Sequence, residues 1–192
     1  MNEKHIVLLA GPNGSGKTTI AQAYADEHAL LYLGADQIAD ELSPGRWDNV
    51  RIQAGRVFLR RVQEKIGRGE SMVVESTLSG RSIRGMIQQA KRVGYQVSII
   101  FVFLETPEHC ISRVRERVLK GGHDVPEVDI RRRFSRSKDN FWNIYRYEVD
   151  NWYLICNSAE LPQEVAIGQK ASFEIVDDVL YNLFMADINI KS

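Results

Sequence analysis

The chain has 192 residues, 44% apolar and 26% charged, with a formal net charge of zero. That is ordinary for one globular domain with a full core, and residues 1–192 are read as a single domain. The neutral balance gives no bulk electrostatic case for nucleic acid or membrane as a partner. No stretch approaches the ~18 apolar residues of a membrane span. Met1-Asn2-Glu3-Lys4-His5 runs straight into the first apolar segment and leaves no room for a signal peptide, so the chain reads as cytoplasmic.

A first strand is expected over residues 5–10. Gly11-Pro12-Asn13-Gly14-Ser15-Gly16-Lys17-Thr18 follows it and spells a complete P-loop, GxxxxGK[ST]. With Thr19 it opens a helix expected over 17–28. Strand, glycine loop and helix is the context in which backbone N–H groups and a helix N-terminus cradle phosphate. Lys17 would reach the β- and γ-phosphates of ATP or GTP, and the Thr18 hydroxyl would ligate Mg²⁺. A short strand over 30–34 then leads to Asp36. This carboxylate serves either as a base for an attacking hydroxyl or as the N-cap of a helix over 37–42.

Ser43-Pro44-Gly45 is a turn by composition, and a long helix runs from about 49 to 68. A strand over 71–76 carries Glu75 near its end. An acid closing an apolar strand binds Mg²⁺ directly or through water, or hydrogen-bonds a substrate hydroxyl. A helix over 82–93 and the most apolar strand, 96–104, follow. Pro107 starts a helix to 120, Gly121-Gly122-His123 breaks the chain, and a helix runs from 126 to about 147. A strand over 152–156 comes next. Segments 165–167 and 173–176 pair as a hairpin, and a last helix spans 177–186. The alternation predicts an α/β fold: a doubly wound, mostly parallel sheet of P-loop NTPase kinase type, with a helical lid and a small C-terminal hairpin plus helix.

Charge is unevenly placed. Residues 111–138 carry nine Lys/Arg against four Asp/Glu, and residues 139–192 carry three against nine. The basic segment holds Arg113, Arg115, Arg117, Arg131, Arg132, Arg133 and Arg136, a cluster suited to phosphate. The two glycines would let its helices move as a lid. Cys110 and Cys156 fit no metal or disulfide spacing and read as buried thiols. His123 reads as a loop-packing residue before a catalytic one. Trp142, Trp152, Tyr145, Tyr147 and Tyr153 read as core or helix packing.

Gly11 through Thr19, Gly34-Ala35-Asp36, Glu75-Ser76-Thr77-Leu78-Ser79-Gly80, Arg113 through Ser137, Asp150-Asn151-Trp152 and Asn157-Ser158 together resemble the zeta-toxin family of P-loop kinases. The likeness is to its short bacterial branch of predicted ABC-type ATPases. The resemblance implies an ATP- or GTP-dependent kinase acting on a small-molecule hydroxyl, in that family UDP-N-acetylglucosamine, with an antitoxin as a candidate partner. It matches Asp36 to the catalytic base, Lys17 to the P-loop lysine and Glu75, with Thr77, to the substrate side. It assigns two lid arginines to phosphate, here Arg117 and Arg133, with Arg131 and Arg132 left as alternatives to the second. The rival readings are another acceptor (a nucleoside, an antibiotic hydroxyl or a polynucleotide 5′-hydroxyl) and a nucleotide-dependent switch with no acceptor.

Overall fold

The computed structural model describes residues 3–44 and 50–189. Two expectations, Gly45 in the turn and Asn49 at the head of the long helix, lie outside the described residues. Seven strands form one sheet in the order β2-β3-β1-β4-β5-β6-β7. They are β1 (Lys4–Ala10), β2 (Leu31–Leu33), β3 (Met72–Ser76), β4 (Tyr95–Phe103), β5 (Asn151–Cys156), β6 (Gln163–Gln169) and β7 (Ser172–Ile175). The first five are parallel, β6 runs antiparallel to β5, and β7 runs antiparallel to β6. The expected hairpin is therefore present, with Ala166 opposite Ile175. It extends the sheet through β5 instead of standing apart.

Strand alternation sorts the core. Ile6, Leu8, Met72, Val74, Phe101 and Phe103 face one cluster. That cluster is covered by α3 (Arg51–Arg68), α4 (Ser82–Arg92) and α8 (Asp178–Met185). Val7, Leu9, Val73 and Val102 face α1 (Lys17–Glu27) through Ala21 and Ala25. A third cluster lies between α5 (Pro107–Leu119) and α6 (Glu127–Asn140), built on Ile111, Val114, Ile130 and Phe134. The helix expected over 126–147 changes winding part-way. After α6 comes a π-helical turn, Phe141–Tyr145, then the short α7 (Arg146–Glu148). Trp142, Tyr145 and Trp152 are buried as expected, whereas Tyr147 and Tyr153 stand at the surface. Both cysteines are free and buried, and burial pushes the Cys110 thiol up to about 12.

Register sets the site. Ala10 pairs with Ser76 and Leu9 with Glu75, so β1 and β3 end together. Leu33 pairs with Val74, so β2 ends beside them. The chain leaves β1 between two neighbours reached by opposite crossovers, and the crevice opens at the strand carboxyl ends. Among the described residues, no helix is long and apolar enough to cross a membrane.

Candidate active site

The P-loop joins β1 to α1, and its last glycine shows why the sequence is constrained there. Gly16 has φ +89°, and an added Cβ would lie 2.3 Å from Asn157 Nδ2. Asn157, just past β5, donates from that nitrogen to the Ser15 carbonyl at 2.8 Å, and Arg113 Nη2 donates to the Asn157 carbonyl at 2.8 Å. The loop is thus braced from β5 and α5. Ser15 Oγ is buried and has no hydrogen-bond partner among the described residues, a group that a phosphate oxygen would satisfy.

Lys17 is buried, and its ammonium lies 3.3 Å from Glu75 Oε1. Thr18 Oγ1 donates to the same oxygen at 3.0 Å. The Tyr32 hydroxyl donates to Glu75 Oε2. Tyr32 and Glu75 meet because Tyr32 pairs with Val73, and Glu75, two residues further along β3, points to the same face. Burial, with Glu75 beside it, raises the Tyr32 pKa well above the ordinary phenol value.

Lys17 lines two cavities at once. One, of about 630 Å³, is also lined by Gly14, Thr18, Arg113, Arg117, Lys120 and Asn157. The other, of about 480 Å³, is also lined by Asn13, Asp36, Arg56, Glu75, Thr77, Arg132 and Arg133. The P-loop ammonium thus stands between two cavities, one on the phosphate-cradling loop and one that holds Asp36.

Asp36 is the exposed carboxylate of the second cavity and makes no ion pair among the described residues. The N-cap alternative is corrected. The helix α2 (Ala35–Leu42) begins earlier than expected, with Gly34 as its N-cap, so Asp36 lies inside the first turn.

The two expected lid arginines separate. Arg117 lines the P-loop cavity and donates through Nη2 to the His123 carbonyl. Arg133 lines the second cavity, and its Nη1 donates to Asn13 Oδ1 at 3.0 Å. The open choice among the consecutive arginines narrows as well. Arg131 turns outward to Glu108 at 2.5 Å, while Arg132 joins Arg133 in the cavity and pairs with Asp129 at 2.7 Å. Gly121-Gly122 is the tip turn that joins α5 to α6 and not a junction between that pair and the body. Arg115–Glu127 and Arg131–Glu108 ion pairs tie the two helices together across it. Flexing at the glycines would part the helices, so the expected lid hinge is not there.

α6 and the π-helical turn after it also fix the loop that carries Thr77. Ser137 Oγ donates to the Thr77 carbonyl, Asn140 Nδ2 to the Leu78 carbonyl at 2.8 Å, and Tyr145 Oη to the Gly80 carbonyl at 2.7 Å. Leu78 is held at φ +50° with its side chain buried.

The residues fit Mg²⁺·nucleotide. Thr18 and Glu75 are adjacent oxygen donors, and no group of three or more His, Cys, Asp or Glu ligands occurs among the described residues. Mg²⁺ bound by one or two protein oxygens, with phosphate and water completing its shell, needs no larger cluster.

Reading the residues individually missed Tyr32, and it missed Asn157 except as part of a longer string. Parity along β2 and β3 carries the signal for Tyr32, but only once their register is known.

The family described as AAA domain matches residues 6–139. A cytidylate kinase of Archaeoglobus fulgidus is 26% identical over 174 residues, 82% of this chain and 88% of that protein. The solved AvrRxo1-ORF1:-ORF2 complex with ATP aligns with 100% of the chain at 20% identity and a TM-score of 0.77, the chain spanning 66% of that one. A structure of the PezAT chromosomal toxin-antitoxin system of Streptococcus pneumoniae aligns with 97% of the chain and 80% of that one, at 18% identity and a TM-score of 0.64. The shared fold is that of P-loop NTPase kinases.

Proposed function

The chain belongs to the AAA domain family, in its P-loop kinase-like form, and we propose that it is a small-molecule kinase of zeta-toxin type, one domain over its length. The observation that carries this reading is the pair of cavities meeting at Lys17, one with the P-loop and one with the exposed carboxylate of Asp36.

ATP or GTP occupies the P-loop side. Lys17 leaves Glu75 for the phosphates, and Arg113 and Arg117 lie on the same side to neutralise them. Mg²⁺ would be held by Thr18 and Glu75 and would neutralise phosphate charge. The acceptor hydroxyl sits in the second cavity. Asp36 takes its proton as the oxygen attacks the γ-phosphorus, a new P–O bond forms, and the bond to the leaving nucleoside diphosphate breaks. Arg132 and Arg133 steady the transferring phosphoryl from the acceptor side. Arg56 makes no ion pair among the described residues and lines the same cavity. Its free guanidinium favours an acceptor that carries anionic groups of its own, such as a nucleotide sugar of the UDP-N-acetylglucosamine kind. The named toxin-antitoxin neighbour supports an antitoxin as a candidate partner.

The cytidylate kinase relative favours a second reading, in which the acceptor is a nucleoside monophosphate. A phosphate oxygen is already anionic and needs no base, so the two readings differ at Asp36. The test is incubation with γ-labelled ATP and separate pools of nucleotide sugars, nucleosides and nucleoside monophosphates. Label in a nucleotide sugar supports the first reading. Label in a nucleoside diphosphate supports the second, and label only in free phosphate overturns both in favour of a switch.

A further inference from the structure

Glu75 carries three donors: Lys17 Nζ at 3.3 Å and Thr18 Oγ1 at 3.0 Å on Oε1, and Tyr32 Oη on Oε2. Two of them have other partners once nucleotide is bound, because a P-loop lysine turns to the phosphates and the adjacent hydroxyl to the metal. Tyr32 does not. Its backbone is fixed by pairing with Val73 in β3. Its ring covers Gly34, where an added Cβ would lie 2.5 Å from Tyr32 Oη. The glycine before Ala35-Asp36 is therefore space for the phenol, as well as the start of α2.

We propose that Tyr32 is a positioning residue: it grips Glu75 by Oε2 so that Oε1 stays aimed at Thr18 after Lys17 and Thr18 have turned to the nucleotide. This rests on the kinase reading only in requiring Mg²⁺·nucleotide on the P-loop. Groups that orient a metal-side carboxylate without touching the metal typically change metal affinity by about 10–100-fold when removed.

The test is binding of a fluorescent ATP analogue, without any acceptor, in EDTA and across a Mg²⁺ titration. Tyr32→Phe should bind as wild type in EDTA and need about tenfold more Mg²⁺ for half-maximal enhancement. Glu75→Gln should also need more Mg²⁺, and adding Tyr32→Phe to it should change nothing further, because the phenol acts through the carboxylate. Gly34→Ala, which drives the hydroxyl away without deleting it, should reproduce the Tyr32→Phe result and carries the test if the Phe variant does not fold. A Mg²⁺ midpoint within about twofold of wild type, far below the usual range for such groups, would overturn the proposal, as would additive losses in the double variant. Wild-type protein that binds no nucleotide at all would overturn the kinase reading with it. Mg²⁺-dependent wild-type binding with an unmoved Tyr32→Phe midpoint overturns this proposal alone.

Discussion

The two cavities that meet at Lys17 are built in different ways. The P-loop side comes from two short stretches, residues 14–20 and 113–122, and is braced by Asn157. The acceptor side takes residues from the P-loop, α2, α3, the end of β3 and the loop after it, α4 and α6, and one of its hydrogen bonds, Arg133 to Asn13, spans 120 residues of sequence. The first is a backbone device that any bound phosphate will find. The second is an assembly of side chains whose identities decide what is accepted. Changes on the first side should therefore act on nucleotide, and changes on the second on the acceptor.

The largest break is expected from Lys17→Ala, because it removes the one group common to both cavities. Transfer should fall below a tenth of wild type in a steady-state assay, while the fold survives. A smaller loss would correspond to under ~1.4 kcal/mol of transition-state stabilisation and would contradict the role of the P-loop.

A paired substitution sharpens the contrast. Arg117→Ala should lower kcat with little change in the KM for acceptor. Arg56→Ala, which removes the guanidinium assigned to the acceptor's own anionic groups, should raise that KM by up to about tenfold, or about 1.4 kcal/mol. Initial-rate kinetics with both substrates varied would check this, and identical signatures from the two variants would dissolve the distinction.

Legibility in the sequence follows the same division. The P-loop, the strand–helix alternation and the Pro107 and Asp177 helix starts were readable because each depends on neighbours a few residues away; Thr106 and Asp177 do cap α5 and α8. The start of α2 is not legible in this way, because Asp36 is a good cap by type while the backbone turns at Gly34, where Tyr32 needs the room. Nor is the place of Gly121-Gly122, because two glycines look the same at a tip as at a base. The separation of Arg117 from Arg133, the outward turn of Arg131 and the Tyr32–Glu75 contact depend on strand register and helix packing, which no short window of sequence contains.

Two smaller effects probe the braces. Asn157→Ala loses the 2.8 Å bond to the Ser15 carbonyl and should cost about 1 kcal/mol of stability, with a modest loss of nucleotide affinity. Urea unfolding together with nucleotide titration reads both, and unchanged affinity would show that the loop holds its shape unaided.

Lys138, fully buried on α6, reaches Asp187 Oδ2 at 2.9 Å, and burial lowers its pKa below the ordinary value of 10.5. In the window between the lowered folded value and 10.5 the unfolded chain binds more protons, so this group adds stability as pH rises there. Lys138→Met should flatten that rise. Because Asp187 is half-exposed and not left stranded, the change at neutral pH should be within about 1 kcal/mol, or stabilising. A loss of ~3 kcal/mol or more in urea unfolding would instead make the pair a structural pillar of the acceptor side.

The most direct test of phosphoryl transfer between the two cavities is Asp36→Asn, with nucleotide binding and label transfer to the identified acceptor measured on the same preparation. Asp36 is exposed and outside the cap position, so the fold and nucleotide affinity should be unchanged. Transfer to a hydroxyl should fall by about 10²–10⁴, the usual cost of losing a general base. Transfer within about threefold of wild type, well below that range, would contradict base catalysis by Asp36 and the hydroxyl acceptor that it serves.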